Sequence, residues 1–166
     1  VSLKSVSETD SHINYTLATN VNSTKYGVIP NQYSSATDYP WAVFDGKGNF
    51  VTATDDLGTD NDTTSAFCAM SNKGSGAVIL LRRDLTYTQT NTYWNLGAAV
   101  GNYTVDLNGK TLTCASSSGF LFSIQGKGTG EALNMNIKNG KIYTSKPILR
   151  YEALNAEKTA NFTFDG

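Results

Sequence analysis

One phrase occurs three times in this chain and constrains its folding more than any other feature. It reads NYTVDLNG at residues 102–109, NMNIKNG at 134–140 and NFTFDG at 161–166. Each copy is an asparagine, a short alternating apolar strand, and then Asn-Gly or Asp-Gly. The apolar centres Val105, Ile137 and Phe164 lie 32 and then 27 residues apart. Recurrence at such a period marks stacked units, each unable to bury its apolar face alone, that share one core with their neighbours. The third copy runs to Gly166, so the pattern predicts either a piece of a longer array or a very short one.

Two alignments of the copies compete. Matching Val105, Ile137 and Phe164 sets Asp106, Lys138 and Asp165 side by side as an outward ladder of alternating sign. Matching the Asn-Gly pairs instead sets Asn108 beside Asn139, with Asp165 beneath. The two differ by one residue, and a one-residue slip reverses every face. The glycine turn is the harder constraint, so the Asn-Gly match is expected, with a bulge in the middle unit. A weaker recurrence, FLFSI at 120–124 and ILRY at 148–151, predicts a second apolar strand in each unit.

Ahead of the repeats the chain changes character several times. HINYTLAT at 12–19 alternates and predicts a strand, while the rest of residues 1–40, bounded by Pro30 and Pro40, reads as an irregular segment lying over something else, or as a linker. WAVFDGKGNFVTAT at 41–54 predicts a β-hairpin turning at Asp45-Gly46-Lys47-Gly48 and packed against the main body. Asp62 is the expected N-cap of a short helix over 63–70 whose apolar side carries Phe67 and Met70. Gly74-Ser75-Gly76 ends that helix. AVILL at 77–81 then reads as a strand buried on both sides, Arg82-Arg83-Asp84 breaks it, and 85–88 is extended.

The order Asp60-Asn61-Asp62-Thr63-Thr64, short helix, Gly-x-Gly, Val/Ile/Leu strand and Tyr87 resembles the entry into a right-handed parallel β-helix of the pectate-lyase-like and tailspike-like superfamily. The resemblance covers about residues 55–166. It implies an all-β fold with a short N-terminal capping helix, a preceding hairpin and about three coils. Residues 1–54 would then form an N-terminal segment packed on that body.

The resemblance carries no catalytic set over. Hydrolases of this architecture group aspartates with a histidine, and the single His12 lies outside the repeats. In lyases an arginine abstracts the proton; here Lys146-Pro147-Ile148-Leu149-Arg150 is preceded by Ser145 where that arginine would stand. Asp106 and Asp165 offer two carboxylates on one groove, or simply two ladder rungs.

Binding chemistry is easier to place. Tyr87, Tyr93, Trp94 and Trp41 are candidate sugar-stacking aromatics, the Tyr93-Trp94 pair in an Asn- and Thr-rich loop above all, whereas Trp41, opening an alternating strand, suits a core better. Asp55, Asp56, Asp60 and Asp62 put several oxygens on a Gly-containing loop, which suits Ca²⁺ or, alternatively, a helix N-terminus. No EF-hand spacing, zinc spacing, phosphate loop or nucleophile elbow is present.

Composition narrows the function classes. Thirteen basic residues against 14 acidic give a net charge of -1, which disfavours nucleic acid as a partner. No run approaches the ~18 apolar residues that a membrane helix needs. Asn, Ser and Thr supply 52 of 166 residues, the solvated hydroxyl and amide surface of an exported β protein. Cys68 and Cys114 are compatible with one bridge or with two small buried thiols. The expectation is a secreted or cell-surface bacterial module that binds a polysaccharide or host glycan, or serves as an adhesin or stalk. The alternative is a polysaccharide lyase or glycoside hydrolase whose catalytic coils lie beyond residue 166. A third expectation is self-association through an open coil end.

Overall fold

The computed structural model describes residues 2–9, 12–18, 26–58, 64–88, 93–96, 100–115, 122–126, 132–144, 149–153 and 160–165. Its strands are short and alternating, and glycine or asparagine turns separate many of them. In chain order they begin with β1 (Ser2–Thr9), β2 (His12–Ala18), β3 (Trp41–Phe44) and β4 (Phe50–Thr54). Helix α1 (Ala66–Lys73) follows, then β5 (Val78–Leu81), β6 (Leu85–Tyr87) and β7 (Tyr93–Leu96). Next come β8 (Gly101–Asp106), β9 (Thr111–Cys114) and β10 (Phe122–Gly126). The last are β11 (Leu133–Lys138), β12 (Lys141–Thr144), β13 (Leu149–Ala153) and β14 (Ala160–Asp165).

The strands from β5 onward are dealt in turn to three sheets. One has the order β14-β11-β8-β5-β3-β4, a second β12-β9-β6, a third β13-β10-β7. Within the repeats every pairing is parallel. Each passage along the chain therefore gives three strands, one to each sheet, where the sequence predicted two. The third is the short β6, β9 or β12 that follows the turn.

The register is the one the sequence argument rejected. Ile79, Val105, Ile137 and Phe164 share one position on four successive strands, at steps of 26, 32 and 27 residues. The ladders run without a bulge, so the expected Asn-Gly match is overturned. The mismatch is absorbed in the turns instead. Residues 107–110 connect β8 to β9, whereas Asn139 and Gly140 alone connect β11 to β12. Asn108 (φ 53°) and Asn139 (φ 59°) both take the left-handed conformation, so a turn of either length can be built. Keeping Val105, Ile137 and the rest of their column inward matters more than aligning turns, since each buried aliphatic side chain contributes about 1.5–3 kcal/mol.

β5 is apolar throughout because both of its faces are covered. Ile79 and Leu81 enter the main core with Trp41, Leu57, Phe67, Met70, Val105 and Ile137. Leu80 faces the other way, into a smaller cluster with Ala42, Phe44 and Ala53. Tyr26, Ile29, Tyr33 and Tyr39 pack on that cluster, so residues 26–40 form the cover over the outer face. The β3–β4 hairpin lies against the body by joining its sheet, β3 pairing antiparallel with β5. At the chain's start, β2 forms where HINYTLAT alternates. It pairs with β1, which falls in a stretch read as irregular.

Two local details differ from expectation. Helix α1 begins at Ala66 with Ser65, not Asp62, as its N-cap, the hydroxyl accepting from the Cys68 N–H at 3.2 Å. Asp62 itself lies outside the described residues. Cys68 and Cys114 are free thiols, the second buried.

Arg82 and Arg83, which looked like mere strand breakers, fasten the outer cover. The Arg82 guanidinium donates to the carbonyls of Tyr33 (2.7 Å), Ser34 (2.7 Å) and Tyr39 (2.9 Å). Arg83 Nε donates to the Ala36 carbonyl at 3.1 Å. Partial burial holds the Arg82 pKa below its ordinary value.

Candidate functional site

The outer face of the β6-β9-β12 sheet gathers the most binding chemistry. In β9, Leu112 and Cys114 are buried, so alternation turns Thr111 and Thr113 outward. The same rule turns Thr86 outward from β6, and Lys141 and Tyr143 outward from β12. Register then builds two columns across strands about 4.8 Å apart: Thr86–Thr113–Tyr143 and Thr111–Lys141. Tyr143 is 59% exposed, a high value for a tyrosine within a strand.

A cleft of about 450 Å³ opens at the β6 end of this face, lined by Arg83, Asp84, Leu85, Thr86, Thr111 and Thr113. Asp84 Oδ1 accepts from the Thr111 N–H at 2.8 Å, which fixes the carboxylate at the cleft. Arg83 donates from NH1 to the Asp84 carbonyl at 3.0 Å, which fixes the residue beside it. The surface thus offers hydroxyls that both donate and accept, one carboxylate, one guanidinium, one ammonium and an exposed ring. Such a set suits a ligand rich in hydroxyls with apolar C–H faces.

The aromatic residues expected to bind are distributed differently. Trp41 (0% exposed) and Tyr87 (5%) are core residues, because their strands turn them into the shared interior. A surface role for either is overturned. Tyr93 and Trp94 belong to β7, opposite Ser123 and Ile124 of β10, and so lie in a strand rather than the expected loop.

The acidic cluster is only partly described. Asp55 is exposed and Asp56 half-buried, with Asp56 Oδ1 accepting from the Gly58 N–H at 3.0 Å. The Asp56 carbonyl accepts from the Ala66 N–H at 3.0 Å, tying this loop to the start of α1. Asp60 and Asp62 lie outside the described residues. Among the described residues no group of three or more His, Cys, Asp or Glu could hold a metal ion, and no helix is long and apolar enough to cross a membrane.

Asp106 and Asp165 do not share a groove. Asp106 is 4% exposed and Asp165 is exposed. Asp106 was expected as an outward, solvated rung. Instead its carboxylate accepts from the Tyr26 hydroxyl (2.8 Å), the Asn108 N–H (2.9 Å) and Asn139 Nδ2 (3.2 Å). Burial, that hydrogen bond and the carboxylate charge together push the Tyr26 phenol well above its ordinary pKa of 10.0. This constellation locks the outer cover to the repeats.

Sequence reasoning missed both Tyr143 and the threonine columns. The signal was present in the alternation of Leu85-Thr86-Tyr87, Thr111-Leu112-Thr113-Cys114 and Lys141-Ile142-Tyr143-Thr144. The last two follow an Asn-Gly turn. No family model, curated protein or solved structure matches this chain. Fold and site together define a protein that, among the described residues, is mostly β with one short α-helix and parallel strands, displaying a hydroxyl-rich face.

Proposed function

We propose that this chain is a non-catalytic glycan-binding module of an exported or surface protein, built as a right-handed parallel β-helix. The coil architecture is supported by the dealing of successive parallel strands to three sheets, and its hand by the strong right-handed preference of parallel crossovers. The observation that carries the binding function is the exposed Tyr143 ring in register with Thr113 and Thr86, beside the cleft that Arg83 and Asp84 flank. Tyrosine presents an apolar face and a hydroxyl at low entropic cost, which suits it to a sugar ring. An extended polysaccharide lying across the strands would meet an equivalent outward residue at each strand spacing.

Glycan-array screening followed by titration calorimetry tests this. Tyr143→Ala is expected to weaken binding at least about tenfold, or 1.4 kcal/mol, with an unchanged circular dichroism spectrum. Trp94→Ala, in the third sheet, is the comparison. Loss with Trp94→Ala and not with Tyr143→Ala would move the site to β7, and no binding to any polysaccharide would refute the function.

A further inference from the structure

We infer, on the glycan-binding reading of the β6-β9-β12 face, that its ligand is an electrically neutral polysaccharide and that Asp84 enforces the choice. Asp84 immediately precedes β6. Leu85 pairs with Leu112 of β9, so Asp84 falls alongside Thr111, and Thr86 alongside Thr113. Leu85 packs against the core, which turns Asp84 and Thr86 outward on either side of it. Four oxygen-bearing side chains therefore mark the corners of a patch about 4.8 Å by about 6.7 Å. All four line the cleft of about 450 Å³, a volume within the range of about 300–1,000 Å³ typical of small-molecule sites.

The two charges of the cleft are presented differently. Asp84 Oδ1 accepts from the Thr111 N–H at 2.8 Å, which anchors the carboxylate, while Oδ2 has no partner among the described residues. An ionised carboxylate only accepts, so a ligand group that meets Oδ2 must donate. A sugar hydroxyl does so; a uronate, sulfate or phosphate group does not. Arg83 is turned toward the protein instead. Its Nε donates to the Ala36 carbonyl (3.1 Å), NH2 to that of Thr37 (3.4 Å) and NH1 to that of Asp84 (3.0 Å). Three of its five N–H groups are thus engaged with backbone. Nε is among them, and it is half of the side-on fork that grips an anion through two parallel bonds.

The rest of the lining carries no charge. Thr86, Thr111 and Thr113 supply hydroxyls that both donate and accept. Lys141 shares a column with Thr111 but lies one strand further on, outside the cleft lining. The cleft is therefore neutral in sum, with its carboxylate open to a ligand and its guanidinium held against the outer cover. A neutral chain can hydrogen-bond across the whole patch. An anionic chain would set like charge against Asp84, with no free fork of Arg83 to offset it.

Titration calorimetry of the 166-residue chain tests this. The neutral probes are mannan, galactan and a soluble β-glucan; the anionic ones are polygalacturonate, alginate and heparin; chitosan is the cationic one. At least one neutral polymer should bind about tenfold or more tightly than every charged one, with an affinity insensitive to salt. Asp84→Asn keeps an acceptor for the Thr111 N–H and removes the charge, so it should lower the neutral-to-anionic ratio about tenfold. Thr86→Val should weaken the neutral polymer about threefold or more, with an unchanged circular dichroism spectrum. Tyr143→Ala should weaken all ligands alike, which separates the choice of ligand from binding itself. Asp165→Asn, at an exposed carboxylate outside the cleft, should leave the ratio unchanged. Preference for an anionic polymer or for chitosan would overturn the inference while leaving the face a glycan site. So would neutral binding indifferent to both Asp84→Asn and Thr86→Val. Binding to none of the polymers would refute the glycan-binding reading and the inference with it.

Discussion

Replacing Tyr26 by Phe deletes one hydroxyl from the contact that joins the outer cover to the repeats. The ring keeps its place 4.8 Å from Phe44, so the change isolates the hydrogen bond of 2.8 Å to Asp106. A bond to a charged acceptor contributes about 1.5–3 kcal/mol; the half-buried phenol argues for the lower end, about 1.5 kcal/mol. Asp106→Ala is a larger perturbation. It strands the Tyr26 hydroxyl, the Asn108 N–H and Asn139 Nδ2, at a cost of about 3 kcal/mol or more. Urea unfolding followed by circular dichroism should show the midpoint falling at constant slope, and a double-mutant cycle should return about 1 kcal/mol of coupling.

The same contact has a pH signature. Unfolded chains lose the phenol proton near 10.0, while the folded protein keeps it to higher pH. Above 10.0 the unfolded state therefore binds fewer protons, so stability is fully present below that pH and falls as pH rises beyond it. The slope is at most about 1.4 kcal/mol per pH unit, and the total is reduced by solvent screening of the half-buried ring. Tyr26→Phe should remove this part of the alkaline slope. A variant within about 0.3 kcal/mol of the parent, with no coupling to Asp106 and the same alkaline slope, would refute the reasoning.

Arg82→Met should speed proteolytic cleavage within residues 30–40 about tenfold while leaving the core intact. Arg82→Lys should not rescue it, because a compact ammonium cannot span the carbonyls of Tyr33, Ser34 and Tyr39. Gly140→Ala should lower stability by about 1–3 kcal/mol in thermal unfolding, since its new methyl would meet Leu107 and lie 2.6 Å from the Lys110 carbonyl oxygen. Asn134→Ala removes the middle rung of an amide ladder, which donates to Asn102 at 3.0 Å and accepts from Asn161 at 2.7 Å. The expected loss in urea unfolding is about 0.5–1.5 kcal/mol.

What sequence alone revealed depended on how local each constraint is. The β3–β4 hairpin, the fully buried β5 and the three recurring strands are written in apolar patterns a few residues long. Register is not, because it balances turn geometry against burial across separate units. The Val105 column prevailed since Asn108 and Asn139 let the turns vary in length. The fate of Asp106 was hidden for a related reason. Its pattern is that of an outward rung, and the cover comes from Tyr26, 80 positions away. Trp41 and Tyr87 looked like binding aromatics by type, yet their parity along the strand sends them inward. Tyr143 has the parity of a surface residue but sits in a four-residue strand whose alternation is too brief to stand out.

The most direct test of the account is the register of β8, β11 and β14 in solution. Cross-strand nuclear Overhauser effects between backbone protons would measure it. The structure predicts Ile137 opposite Val105 and Phe164, with Asn102, Asn134 and Asn161 in one column. Contacts that instead set Ile137 opposite Asp106, as the alignment of Asn-Gly turns requires, would contradict it.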